Sequence, residues 1–122
     1  MNLCRTRRKL LLLALAAAGP LRAAAPRVVE LSVVRRKPEG GVRTLRVARG
    51  EALALRVRAD EAMTIHIHGY EVELRVDAGA TATVELNARL VGRFPVTAHL
   101  PDSHGDGKVR EPTLLYLEVH PE

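Results

Sequence analysis

The sequence predicts an all-β domain, a Greek-key β-sandwich or barrel of seven to eight short strands. Apolar residues recur at every second position through most of the chain after residue 26, the period of a half-buried strand. Turn-forming clusters of Gly, Pro, Asp and Asn interrupt this alternation roughly every 8–12 residues, the spacing of a sandwich or barrel. No segment after residue 26 has the 3.6-residue period of a helix, and there is no internal repeat or linker.

The elements follow in order. Val29, Leu31 and Val33 alternate with polar or small positions, which predicts a first strand over residues 27–35. Lys37-Pro38-Glu39-Gly40-Gly41 reads as a turn. Leu45 and Val47 mark a second strand at 42–48, and Leu53, Leu55 and Val57 a third, with Arg56 and Arg58 on its charged outer face. Met63, Ile65 and Ile67 then occupy odd positions, whereas Tyr70, Val72 and Leu74 occupy even ones. Side chains alternate strictly along a strand, so this change of parity requires a bend or an extra residue. Gly69 is the expected kink. Asp77 to Ala80 turns the chain, and Thr81 to Asn87 alternates again around Val84 and Leu86. Gly92 opens a strand whose inward residues are Phe94, Val96, Ala98 and Leu100; Pro95 within it predicts an edge strand or a bulge. Residues 101–107 form a polar loop, and Leu115, Leu117 and Val119 a final strand.

Residues 1–25 stand apart. Arg5, Arg7, Arg8 and Lys9 precede the apolar run Leu10 to Ala18, and small residues end in Ala23-Ala24-Ala25. This is the layout of a secretory signal peptide, with an apolar core too short for a stable bilayer anchor. The expected organisation is a signal peptide over 1–25 and one domain over 26–122, in the periplasm or secreted, with no membrane span after signal removal. The only cysteine, Cys4, leaves with the signal, so the mature chain has no disulfide and no thiolate. Five of the 19 Lys and Arg residues and none of the 14 acids lie in residues 1–25, leaving 14 charges of each sign. The high pI therefore belongs to the export segment. With Tyr70, Phe94 and Tyr116 as its only aromatics, the mature domain has neither the charge nor the stacking surface of a nucleic-acid binder.

The histidines carry the functional signal. His66 and His68 lie two residues apart on a predicted strand, on one side of the sheet and roughly 6.5–7 Å apart at Cα. Metal–nitrogen bonds of about 2 Å let such a pair chelate one ion when the rings lean together. His99 ends the strand that starts at Gly92, and His104 follows in the polar loop, which a sandwich can bring to the same end as residues 68–70. His66, His68, His99 and His104 are thus the candidate metal ligands, and His120 is read as bystander surface. A histidine-only site suits Cu(II) or Zn(II), with Cu(II) the tighter binder. The plainer reading makes His66 a solvated strand residue and His104 an ordinary loop residue. Glu71 and Glu73 are assigned to a solvated face and given no ligand role. No serine-nucleophile motif, phosphate loop or paired-carboxylate signature is present, so no enzyme activity is expected.

Ile67-His68-Gly69-Tyr70, the segment Asp77 to Ala88, Gly92-Arg93-Phe94 and Leu117-Glu118-Val119 together resemble the cupredoxins. The nearest likeness is to cupredoxin-like domains of exported bacterial proteins, with a more distant one to the copper domains of cytochrome oxidase subunit II and nitrous oxide reductase. It spans about residues 45–120 and implies the same β-sandwich. Through it, His68 matches the early copper histidine and His104 the loop histidine. The thiolate position falls at Ala98 or His99, neither of them Cys, and no Met follows where the sequence reads Glu111-Pro112-Thr113-Leu114. A type-1 electron-transfer centre needs that thiolate. Alternation also turns Ala98 inward and His99 outward. The expectation is copper handling through histidines, with a metal ion or a small periplasmic protein as partner. Two alternatives stand beside it: a metal-free binding or accessory module of the same fold, and a zinc hydrolase-like site of three histidines and a water.

Overall fold

The computed structural model describes Gly19, residues 25–100 and residues 111–121. The expected signal peptide, the polar loop and His104 fall almost wholly outside these described residues. Nine strands are formed: β1 (Arg27–Val34), β2 (Lys37–Pro38), β3 (Arg43–Ala48), β4 (Ala52–Ala59), β5 (Met63–Ile67), β6 (Val72–Val76), β7 (Thr81–Asn87), β8 (Gly92–His99) and β9 (Thr113–His120). They build a four-stranded sheet in the order β2-β1-β4-β7 and a five-stranded sheet in the order β3-β9-β8-β5-β6. β1 pairs with β4, and β3 with β9, in parallel; every other pairing is antiparallel. Among the described residues no helix is long and apolar enough to cross a membrane.

The alternation read from the sequence becomes the core. Leu31, Val57, Ile65, Val96 and Leu117 point between the sheets and are buried. Each such side chain contributes about 1.5–3 kcal/mol of burial. The interior is therefore apolar on both walls, and polar chemistry is confined to the two outer faces.

Three local expectations are corrected. The cluster from Lys37 is not all turn: Lys37 and Pro38 pair with Val34 and Val33, adding the ninth strand. The two-residue reversal before it holds Arg35 at φ 52° and Arg36 at φ 66°. Non-glycine residues tolerate this conformation only where surroundings hold them. Here the Arg35 N–H donates to Asp60 Oδ2 at 3.0 Å, and Arg36 Nε donates to Glu61 Oε1 at 2.9 Å.

The expected kink at Gly69 is a full reversal. β5 and β6 form a hairpin closed by Ile67 opposite Val72, with Gly69 at φ 84° and Glu71 at φ 53° inside the loop. Reversing the chain changes which positions face the core, so the parity switch is satisfied without a bulge.

Pro95 is not on an edge: β8 lies between β9 and β5. In an antiparallel strand a residue's N–H and C=O point the same way. The Pro95 C=O accepts the His68 N–H at 3.1 Å, so the missing Pro95 N–H would have pointed past Ile67, the last residue of β5. The one bond forgone, to the His68 C=O, lies just beyond the end of β5. The expected irregularity sits one step along, where Val96 pairs with Leu115 but Thr97 pairs with Thr113. Leu114 is the extra residue, and both Leu114 and Leu115 turn into the core.

Candidate metal centre

The inward residues of β5 are Met63, Ile65 and Ile67, so Thr64 and His66 face outward. His68 is the first loop residue after the strand. Its ring lies beside that of His66, with centroids 4.2 Å apart and planes inclined at 47°. Thr97 of β8 stands directly opposite His66 and binds the second ring: His68 Nε2 lies 3.0 Å from Thr97 Oγ1. Thr97 also faces outward yet is only 5% exposed, and it is the one buried polar residue among those described. A buried hydroxyl needs a partner, and the imidazole supplies it. When Nε2–H donates to Thr97, the lone pair of His68 remains on Nδ1. His66 is half-buried and makes no hydrogen bond among the described residues, so both its nitrogens are available.

The loop after His68 is fixed by aromatic packing. Tyr70 is buried, and its hydroxyl donates to the Leu90 C=O at 2.9 Å and accepts the Leu90 N–H at 3.1 Å. Its ring meets Phe94 edge-on at 5.1 Å. Gly69 lies against the same phenyl ring. A Cβ built there would overlap it, 2.6 Å from Cε1 and closer still to Cδ1. Gly92 meets the ring from another side, where a Cβ would stand 3.2 Å from Cζ. The His-Gly-Tyr and Gly-x-Phe motifs are therefore one packing device, and it holds the hairpin that presents both imidazoles.

The remaining histidines lie apart. His99 stands opposite Thr64 on the same outer face, and its Nδ1 is engaged with Glu111 Oε1 at 3.2 Å. His120 lies at the end of β9, with Nε2 2.7 Å from Glu118 Oε1 and 3.1 Å from Arg46 Nε. Among the described residues no group of three or more His, Cys, Asp and Glu could hold a metal ion. The structure thus brings together His66 and His68 and keeps His99 with a carboxylate partner, while His104 lies outside the described residues.

Of the two residues at the expected thiolate position, Ala98 is 0% exposed in the core, whereas His99, like His68, is on the outer face. A thiolate-type copper centre does not fit these residues. Sequence reasoning set Glu71 and Glu73 aside because they face outward. The histidines face outward too, and Glu73 stands directly opposite His66 across β5 and β6.

No protein-family model matches the sequence, and no curated protein matches it. Solved structures are similar in fold. One chain of a heme-copper terminal oxidase dimer superposes with a TM-score of 0.55 at 14% identity, covering 86% of this chain and 74% of that one. The laccase-like multi-copper oxidase CueO from the lignin-degrading bacterium Ochrobactrum sp. gives 0.61 at 12% identity over 79% of this chain. A further multicopper oxidase gives 0.59 at 18% identity over 79% of this chain. This chain spans only 31% and 42% of the length of those two oxidases. The likeness is one of architecture: the chain is an all-β sandwich of cupredoxin-like fold.

Proposed function

We propose that this protein is a small exported copper-handling protein, one that binds Cu(II) through the His66–His68 pair and catalyses no reaction itself. One observation carries this reading: two imidazoles whose centroids stand 4.2 Å apart, one of them anchored by Thr97. With metal–nitrogen bonds of about 2.0–2.1 Å, two imidazoles bound side by side on one ion have centres roughly 4.5 Å apart. The pair is therefore close to chelating separation. Thr97 is the outer partner that fixes the tautomer and ring orientation of a histidine ligand. Imidazole donors without sulfur favour Cu(II) among the divalent ions, and Zn(II) is the natural competitor. The fold shared with copper oxidases supports copper, and the basic, apolar and small-residue stretches of residues 1–25 support export to the periplasm or beyond. His99 and His104 remain supplementary ligand candidates; His99 would have to leave Glu111.

Titration of the protein with Cu(II), followed by electron paramagnetic resonance, tests the reading. The expected result is a one-equivalent signal with nitrogen couplings that disappears in His68→Ala. Affinity no better than that of an ordinary surface histidine would favour the metal-free binding module instead.

A further inference from the structure

We propose that β7 is a docking edge for a second copy of this chain: two β7 strands pair antiparallel about Val84 and join two four-stranded sheets into one. The inference stands apart from the copper reading and uses none of the histidines. Four strands border the two sheets: β2, β7, β3 and β6. An unpaired edge invites pairing with another chain, and proteins blunt such edges with short strands, charges, proline, bulges or a cover. Three of the four are blunted. β2 has two residues. On the side shared by β1 and β3, Arg27 Nη1 donates to the Arg46 C=O at 3.3 Å and Arg43 Nη2 to the Glu30 C=O at 2.7 Å, so arginines bridge the two sheets. β6 has five residues, two of which, Glu73 and Arg75, are charged and exposed. Among the described residues β7 has none of these devices. It runs seven residues with no proline, one charge, Glu85, and an unbroken register against β4 from Thr81 to Asn87.

The Ala88 N–H donates to the Glu51 C=O at 2.9 Å, and the Ala88 C=O accepts the Gly50 N–H at 2.8 Å, so both groups turn toward the β4 side. In an antiparallel strand the N–H and C=O of one residue point the same way and the direction alternates along the chain. Leu86, Val84 and Ala82 therefore bond toward β4, while Thr81, Thr83 and Glu85 turn their backbone groups outward. Among the described residues nothing bonds to these outward groups. A second β7 offers the same row in reverse. With Val84 opposite Val84 the whole strand pairs, because Val84 is its midpoint. Thr83 then meets Glu85 of the second copy. Both expose their backbone groups, so the pair exchanges its two ladder bonds, and the two-fold axis repeats them. Ala82 meets Leu86 on the core side, small against large. A one-residue slip would set core side chains against solvent-facing ones. Centring on Glu85 would oppose like charges, and centring on Thr83 would leave part of each strand unpaired. In the Val84 register Glu85 of the second copy lies in line with Thr83 and, one strand further in, with Arg56, so acid is set toward base. Ala82, Val84 and Leu86 of β7, with Val72 and Leu74 of β6, pack on the core yet stay half-buried along this open side. Covering them supplies the apolar drive.

Sedimentation equilibrium of the protein from about 1 µM to 1 mM, the window of transient association, tests the proposal. The expected result is a reversible monomer–dimer equilibrium. Thr83→Pro removes an outward N–H and no bond to β4, so it should weaken the dimer about tenfold or more and keep a cooperative urea transition. Thr83→Glu sets acid against Glu85 of the other copy at both symmetric positions and should weaken the dimer several-fold. Thr83→Lys sets a base there and should hold or tighten it. A protein that stays monomeric throughout overturns the proposal. So does a dimer indifferent to all three substitutions, whose contact lies elsewhere. Equal weakening by Thr83→Glu and Thr83→Lys overturns the Val84 register. Where Thr83→Pro loses its cooperative transition, the contrast between the other two variants decides.

Discussion

Two patches of the outer surface, around Arg56 and Glu30 on the four-stranded sheet and at the hairpin end of β5 on the five-stranded one, use their polar groups differently. In the first patch, charge is neutralised locally. Arg56 pairs with Glu30 at 3.4 Å, and the two side chains are well exposed. On the five-stranded sheet the hairpin end of β5 carries an unbonded imidazole, an unpaired carboxylate and a buried hydroxyl committed to a second imidazole. Exposed ion pairs of the first kind contribute about 0–1 kcal/mol and bind nothing further. Unsatisfied ring nitrogens of the second kind are ready to ligate. The difference teaches where to look for function in a small sandwich: at the patch where ring nitrogens gather without being spent on a neighbouring charge.

Substitutions on each side can break or sharpen that contrast. The largest effect is expected from Gly69→Ala, which forces a Cβ into the Phe94 ring at a backbone φ of 84°. Backbone strain and overpacking together should cost about 2–4 kcal/mol, read as a lower urea midpoint with unchanged slope. A variant as stable as the parent would show that the aromatic clamp does not hold the hairpin. Next comes Thr97→Val, which keeps the shape but removes the hydroxyl that orients His68. Cu(II) affinity should fall about 10–100-fold, equivalent to roughly 1.4–2.7 kcal/mol, with little change in melting. Tyr70→Phe deletes both hydrogen bonds to Leu90. About 1–2 kcal/mol of stability should go, seen by thermal or urea unfolding, with copper binding retained in the folded fraction. The smallest change belongs to the opposite face. Arg56→Ala should alter stability by no more than about 0.5 kcal/mol and leave metal affinity untouched. A drop in copper binding there would dissolve the contrast between the two faces.

Much of this architecture was legible from alternation alone, because one wall of every long strand faces the core. The inward sets at Val29, Leu31 and Val33, at Met63, Ile65 and Ile67, and at Leu115 and Val119 are all buried. β2 was missed because two residues carry no period. The parity change at Gly69 was visible, but a bend and a reversal produce the same local pattern; only the pairing of Ile67 with Val72 distinguishes them. The place of the histidine pair was also legible, since even positions in β5 must face outward once odd ones are buried. By contrast, the engagement of His99 with Glu111, and of His68 with Thr97, depends on which strands become neighbours. No local pattern encodes that.

The parallel pairing of β3 with β9 also shapes how the molecule is made. β3 has no neighbour in its sheet except β9, and β8 needs β9 on one flank. Arg43 meets Leu115 across about 70 intervening residues. A nascent chain emerging amino end first therefore cannot finish its larger sheet until β9 has been synthesised. Until then β3 offers a bare edge, a row of backbone N–H and C=O groups that only the closing strand can satisfy.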